Sequence, residues 1–508
     1  MAHGDLAQIA AVIGAAGSAL VLLTPRRVPL LAGFAALVAA EVSLAVALVP
    51  SDDLARLTSA KALVACVLAG LAVVAAAAGL VRYPAAVPLL VLLAAPFRLP
   101  VDLGSQHAFL LLPLYGVLAA SSLAFLVRTF RGAVVAPLAP LLAIPAAAFI
   151  GYASLSLLWA LDLEQGSIQL GFFVLPFAAL VAVVGRSPVA SWLPRSLAVS
   201  VVGLAAVFAA IGIYQAWTHT LFFAQDLRVA NAYTTFFRVT SVFKDPSIYG
   251  RHLVVGIVVL VVCLWLGRIR IELAAAAIAL LFTGLYFSYS QSSVAVLFAA
   301  TLIATLVLAD RRSRRIVLVS ALVAALAGGA FALVSAKETS IRKATSGRSR
   351  LVGVTTVVIR NHPVVGVGIG SQPLASRQEA KTRIAARRNT SHTTPLTVAA
   401  ELGAIGLVLY AVLLASAAMV LNAAARARRE LGLGLAAVFL CLFLHSLFYS
   451  GFFEDPLTWG VLGVASAALA APVPAVARDR APRTAAPAAA HASPSPPPEG
   501  DPEAGWQT

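Results

Sequence analysis

Long apolar segments alternate with short polar connectors along most of the chain. Each apolar run is about 20 residues long, enough to cross a hydrocarbon core of ~30 Å, and it must be helical because lipid offers backbone polar groups no partners. The pattern predicts about 12 to 15 such spans, of which the fourth and fifth cover about 85–99 and 107–127. The expected fold class is an all-α, polytopic integral membrane protein.

The composition agrees with a membrane location. Of the 508 residues, 60% are hydrophobic and 11% are charged, against roughly 25% charged in soluble domains, and the mean hydropathy is +0.93. Cys66, Cys263 and Cys441 lie in apolar runs with no short spacing, so neither a disulfide framework nor a zinc site is predicted. A net charge of +16 suits nucleic acid or an anionic membrane surface, and the positions of the charges decide between them.

Basic residues cluster in every second connector. Examples are Arg26-Arg27, Arg128 to Arg131, Arg311 to Arg315 and Arg426 to Arg429. By the positive-inside rule these connectors are cytoplasmic and the alternate ones are external. We therefore expect one membrane domain over residues 1–476, followed by a Pro- and Ala-rich, disordered cytoplasmic tail at 477–508.

One long external loop, at about 336–395, departs from the charge rule. From Ala336 to Thr394 it holds 11 Lys or Arg and two Glu, on the side where basic residues are normally under-represented. A solvated basic loop is one interpretation, because long loops are partly exempt from the rule. A site for a phosphorylated ligand explains the excess better, and we place the catalytic core at about 196–450.

A second external loop contains Arg238 and ends at Asp245-Pro246. An Asp before a Pro is a helix-start signal, so the next span is predicted to begin there. Arg238 then lies over the mouth of that helix, either as part of a site or as an interfacial anchor for the membrane surface.

Thr394-Pro395 repeats this start signal and puts His392 two residues ahead of a membrane helix. The positive end of a helix dipole disfavours imidazolium, so His392 is expected to be neutral and available as a base. An ordinary surface or core histidine is the alternative. The same helix continues through Glu401.

Two further patterns are less specific. The glycines 366, 368 and 370 lack the strand, helix and downstream acid of a dinucleotide fingerprint, which favours turn geometry over nucleotide binding. Glu454-Asp455 is expected to orient an acceptor sugar or a basic residue, or to form a plain solvated turn.

The order of these motifs resembles that of the O-antigen ligase and polymerase superfamily. The resemblance covers about residues 200–425. It rests on three stretches, namely Arg238-x-x-Ser241-x-Phe243-x-Asp245-Pro246, then Ser346-Gly347-Arg348 through Arg360-Asn361-His362-Pro363, then Ser391-His392-Thr393-Thr394-Pro395 with Glu401-Leu402-Gly403. Two positions differ from the family pattern, since Thr393 stands where Asn is frequent and Leu351-Val352-Gly353 occupies the region of a tryptophan.

The resemblance implies a GT-C-like membrane enzyme that moves a glycan from an undecaprenyl diphosphate carrier to an acceptor hydroxyl, with inversion and without metal. It implies catalytic roles for Arg238, Arg348 and His392. Guanidinium groups match phosphate oxygens and would stabilise the leaving diphosphate, while His392 would take the acceptor proton. Arg350 is close enough in sequence to leave the choice between it and Arg348 open. The further candidates for binding the diphosphate or the acceptor are Arg350, Lys244, Arg360 and Glu401.

No cofactor or metal is expected, because no cluster of external carboxylates suits a hard cation. The expected partners are the lipid-linked donor, a glycan, lipid or protein acceptor, and membrane lipids, with no nucleic acid. The expected location is a bacterial plasma membrane with the site outside. A ligase and a polymerase of lipid-linked oligosaccharides would use the same residues. A transporter or flippase for lipid-linked sugars is the alternative from another class.

Overall fold

The structure is a computed structural model that describes residues 3–48, 59–103, 106–232, 236–319 and 348–470. Within these ranges, 12 helices are long and apolar enough to cross a membrane. The predicted all-α polytopic architecture is confirmed. The predicted tail and residues 336–347 of the predicted external loop lie outside the described residues, as does most of the apolar run at about 316–335, which is one of the predicted spans.

The helices are numbered here in chain order over the described residues. They are α1 (His3–Leu23), α2 (Arg27–Leu48), α3 (Ala60–Arg82), α4 (Val87–Ala94), α5 (Leu112–Phe130), α6 (Pro140–Leu155), α7 (Leu163–Gln169), α8 (Leu175–Val184), α9 (Leu193–Thr218), α10 (Gln225–Ala232), α11 (Pro246–Trp265), α12 (Ile271–Ser288), α13 (Gln291–Leu308), α14 (Arg348–Asn361), α15 (Gln372–Glu379), α16 (Thr394–Ala427), α17 (Arg429–Ser446) and α18 (Pro456–Leu469).

A short antiparallel hairpin interrupts the helices between α4 and α5. Its strands are β1 (Leu99–Leu103) and β2 (Gln106–Leu110), with Asp102 opposite His107. The spans predicted at 85–99 and 107–127 were therefore too long at the hairpin, since α4 ends at Ala94 and α5 begins at Leu112. Apolar alternation over a few residues does not distinguish a strand from the end of a helix.

Helix starts follow the predicted signals. Asp245 caps α11, its Oδ1 accepting a hydrogen bond from the N–H of Ser247 at 2.6 Å. Asp455 caps α18 in the same way. Helix α16 begins at Thr394 with Pro395 in its first turn, as predicted, although no side chain caps it.

The connectors gather at the two ends of the helix bundle. At one end, which we call the loop end, lie residues 156–171, 236–245, 363–393 and 447–455. Contacts here include the N–H of Leu161 donating to Val367 O at 3.1 Å. At the other end, the basic end, Arg428 Nη1 donates to Val189 O at 3.3 Å. The grouping agrees with the predicted alternation of connectors.

Helix α11 lies at the centre of the bundle. It packs against α9, α12, α13 and α17, and residues such as Leu253 and Val258 are fully buried. The loop that precedes α11 therefore ends at a helix that is held in place by its neighbours.

Candidate functional site

Helix α16 is broken near its start, and the large loop fills the break. Gly403 has φ 65° and ψ −161°, far from helical values. The N–H of Gly368 donates to Glu401 O at 2.8 Å, and the N–H of Ala404 donates to Pro363 O at 2.9 Å. Carbonyl and amide groups released by the break thus find partners in residues 363–368, as buried backbone groups must.

The three glycines of the loop make the turns that bring this segment to α16. Gly366, Gly368 and Gly370 have φ of 68°, 88° and 75°. A Cβ on Gly366 would lie 2.4 Å from Glu401 O. Turn geometry and close backbone approach, rather than nucleotide binding, account for these glycines.

Glu401 faces this turn and is buried, with 6% of its surface exposed. Its Oε1 accepts a hydrogen bond from the N–H of Gln372 at 3.3 Å. The carboxylate therefore holds the beginning of α15. This contact gives Glu401 a positioning role, and the substrate contact predicted for it stays a prediction.

Gln372 organises the segment before His392, although no sequence pattern pointed to this residue. The side chain is fully buried. Its Oε1 accepts from the N–H of Ser391 at 2.9 Å, and its Nε2 donates toward Asn389 O at 3.0 Å. Nε2 also lies 3.1 Å from Thr355 Oγ1 in α14. One amide thus joins α14 and α15 to the residue preceding His392.

Arg350 supports the same segment from α14. Its Nη1 donates to Asn389 Oδ1 at 3.0 Å, and the Nδ2 of Asn389 donates to Ile384 O at 3.2 Å. Arg350 is therefore engaged in holding the loop. Arg348 begins α14 two residues earlier, and its side chain lies outside the described residues.

The Arg238 loop is held mainly by a second buried amide. Gln215 of α9 accepts from the N–H of Ser241 at 2.7 Å and donates to Ser241 O at 2.8 Å. Ser241 has a φ of 53°, a turn conformation that these bonds hold in place. The main chain of Arg238 pairs with the side chain of Asn231. The Nε of Arg238 lies 3.4 Å from Ser288 O.

The charge of Asp245 acts on Arg238 and on Tyr449 of the last loop. Burial lowers the pKa of Arg238, and the charge of Asp245 opposes that shift. Burial raises the pKa of Tyr449, and Asp245 raises it further. The ring centroids of Tyr449 and His392 are 6.4 Å apart. Tyr449 therefore lies beside His392 and within the electrostatic reach of Asp245, at the end of the Arg238 loop.

The last loop, which carries Glu454 and Asp455, contacts arginines of two other segments. Arg251 of α11 and Asp455 form an ion pair at 2.8 Å, with side chains 10% and 5% exposed. Asp455 thus orients a basic residue, one of the alternatives predicted for it. Arg98 Nη2 lies 3.5 Å from Glu454 O. Burial raises the pKa of Glu454, and Arg98 lowers it.

Two other predicted residues lie at the edge of this arrangement. Lys244 is exposed and adjoins Asp245. Arg360 is exposed at the far end of α14, roughly 15 Å along the helix from Arg350 by the helical rise. Its neighbours Asn361 and His362 both contact Glu379. The substrate contact predicted for Arg360 stays a prediction.

Among the described residues, no group of three or more His, Cys, Asp or Glu side chains could hold a metal ion. The cations at the loop end are supplied by arginine and lysine.

Comparison with known proteins identifies one family. Residues 276–411 match the family model described as O-antigen ligase. The match covers 136 of the 508 residues, beginning in α12 and ending in α16, so that it includes His392 but not Arg238. It confirms the resemblance to the O-antigen ligase and polymerase superfamily. No curated protein matches the chain.

Proposed function

We propose, from the O-antigen ligase domain at residues 276–411, that this multi-pass membrane protein transfers a glycan from a polyprenyl diphosphate donor to an acceptor hydroxyl. The observation that carries the proposal is that the last loop meets both segments: Tyr449 lies beside His392, and Asp455 pairs with Arg251 of α11, the helix that follows the Arg238 loop. A cation and a base on neighbouring loops are what this transfer requires.

The arginines would stabilise the leaving group. As the bond between the anomeric carbon and the diphosphate oxygen breaks, the electron pair stays on that oxygen. A guanidinium remains charged and presents a planar fork that fits phosphate oxygens. Arg238 is half-buried and fixed by Asn231 and Ser288, so its charge acts where solvent screens little. Fixed donors of this kind contribute ~3 to 4 kcal/mol each in a transition state. Arg348 is the proposed second donor.

His392 would act as the general base. The acceptor oxygen attacks the anomeric carbon from the face opposite the diphosphate, its proton passes to the imidazole, and the configuration inverts. General bases contribute roughly 10²- to 10⁴-fold. Gln372 and Arg350 hold the preceding residues, which supports a fixed imidazole position.

The proposed location is the bacterial plasma membrane, with the loop end outside and the tail cytoplasmic. The arginine-rich connectors at the opposite end support this orientation by the positive-inside rule. The donor diphosphate would then lie at the outer surface. Such envelope chemistry fits ligation of a finished glycan to a lipid, glycan or protein, or extension of a lipid-linked oligosaccharide.

The test uses purified protein, a polyprenyl diphosphate glycan and candidate acceptors. We expect a new glycosidic bond with inverted configuration. His392→Ala should abolish transfer and retain donor binding, whereas Arg238→Ala and Arg348→Ala should also weaken donor use. His362→Ala and Arg377→Ala, on the same large loop, are matched controls and should keep activity.

Two outcomes would contradict the proposal. Full activity in His392→Ala would remove it as the base. Movement of the lipid between leaflets without bond formation would favour the transporter alternative. The acceptor that is used distinguishes a ligase from a polymerase.

A further inference from the structure

A large cavity runs from the basic end of the bundle to Pro456 and Leu457, which directly follow Asp455, the partner of Arg251. Its volume is about 950 Å³, within the range of ligand cavities. It is lined by α4, α9, α11, α17 and α18, with contributions from α8 and the first turn of α12. Along α11 it extends from Val255 to Leu266, roughly 16 Å by the helical rise, which is about the depth of one leaflet.

The walls of this cavity are apolar. All lining side chains except three are aliphatic, proline, glycine or cysteine. Val199 lines the cavity and is 63% exposed, so the space is open toward the surroundings of the bundle. A polar ligand would lose its hydrogen bonds in such a space without replacement. A hydrocarbon chain fits it.

The three charged lining residues all lie at the basic end of the bundle. Arg195 lies in the first turn of α9, and Arg268 pairs with Glu430 across the mouth. The connectors and helix ends around the mouth contain six arginines and two glutamates, namely Arg195, Arg268, Arg270, Arg426, Arg428 and Arg429 with Glu272 and Glu430. The mouth is therefore positive.

Exposed tryptophans mark the same level. Trp192 is 43% exposed and lies two residues before the lining residue Pro194, and Trp265 is 37% exposed and precedes the lining residue Leu266. Tryptophan prefers the level of lipid headgroups. A lipid whose chains enter the cavity would thus place its headgroup beside Arg195 and Arg268.

We propose that this cavity binds a phospholipid with an anionic headgroup, from the leaflet at the basic end. Its acyl chains lie between α9 and α17, and its phosphate faces the arginine-rich mouth. The proposed function puts the diphosphate of the glycan donor at the loop end, whereas the three charged lining residues of this cavity lie at the basic end. The phospholipid site does not depend on the proposed transfer reaction.

Two glycines allow the cavity to be filled without disturbing its walls. Gly203 on α9 and Gly434 on α17 line the cavity, and a Cβ on either meets no atom within 4 Å. Gly203→Phe and Gly434→Phe should each occupy the chain space. Gly70→Phe is the matched control, because Gly70 is also helical and open but lies outside the cavity.

The experiment is native mass spectrometry of the full chain, delipidated in detergent and then titrated with phosphatidylglycerol or phosphatidylcholine. The wild type and Gly70→Phe should retain phosphatidylglycerol, and both cavity-filling variants should lose it. Arg195→Ala should lower the preference for phosphatidylglycerol about fivefold, as expected for one basic residue at a headgroup. Thermal unfolding of each variant establishes that it is folded. If Gly434→Phe does not fold, Gly203→Phe provides the test of the cavity.

Three results would overturn the proposal. They are equal phosphatidylglycerol retention in wild type and folded cavity-filling variants, equal binding of the two phospholipids by wild type, and displacement of a co-purified polyprenyl lipid, instead of a phospholipid, by the filling substitutions.

Discussion

Gln372 accepts a hydrogen bond from the main chain of Ser391 at 2.9 Å, and Ser391 immediately precedes the proposed base His392. The two residues are buried and 19 positions apart. Through this bond the position of His392 depends on α14 and α15, which lie outside the membrane spans. The side-chain amide of Gln372 therefore helps to set the position of the proposed base.

Substitution of Gln372 tests this dependence. Gln372→Leu leaves the Ser391 N–H unpaired, which should cost ~1–3 kcal/mol of stability. It should lower kcat by about 100-fold, the lower range of a general base, with a change of less than about threefold in the donor KM. Steady-state kinetics of glycan transfer measure both constants. Thr355→Val, which removes another partner of Gln372 and keeps the Ser391 bond, should retain most of kcat. An equal fall in kcat for the two variants would show a general loss of structure.

The break in α16 should not tolerate a side chain. In Gly403→Ala the new Cβ would lie 2.2 Å from Val364 O, at a φ of 65°. We expect a loss of about 3 kcal/mol from strain and overpacking, seen as a lower thermal unfolding temperature in detergent. Gly353→Ala in α14 is the control, because its Cβ meets nothing within 4 Å. It should be neutral or slightly stabilising, and equal losses would argue against the close approach.

The buried ion pair between α11 and α18 should couple in a double-mutant cycle. Arg251→Leu leaves Asp455 charged and buried, which should cost about 3 to 5 kcal/mol. Asp455→Asn retains an oxygen for the helix cap and removes the charge. The double variant should therefore be more stable than Arg251→Leu alone. Thermal unfolding measures the cycle, and simple additivity would mean that the pair is not formed.

Transfer should persist when divalent metal is removed. The proposed leaving-group stabilisers are Arg238 and Arg348, whose positive charge does not require a bound metal ion. Activity in excess chelator should stay within about twofold of the untreated enzyme, since no Lewis acid is assigned a share of the barrier. A large loss that is restored by one added metal would refute the arginine clamp. Readdition of several metals separately provides the control.

The fold was accessible from the sequence because lipid restricts spans to long apolar helices. Helix starts at Asp245-Pro246 and Thr394-Pro395 were also predictable, since an N-terminal acceptor and a proline act locally. The hairpin at 99–110 was missed because its apolar residues continue the pattern of the adjacent spans.

The candidate site was only partly accessible. Motif order pointed to Arg238 and His392, and their roles remain predictions. Gln215 and Gln372 carry no periodic signal, because each binds a backbone segment more than ten positions away. Arg251 could have been noticed as a charged residue inside a predicted span, a position that is costly unless paired. Its partner Asp455 is 204 positions distant, beyond any local pattern.

The pairing of residues 363–368 with the interrupted start of α16 also bears on protein engineering. A chimera that exchanges the large loop with that of a relative, in order to change acceptor choice, would cut this pairing if its boundaries fell at the helix ends. Backbone groups at Glu401 and Ala404 would then lose their partners. Exchange segments should instead keep Pro363 to Gly370 and the first part of α16 from one parent.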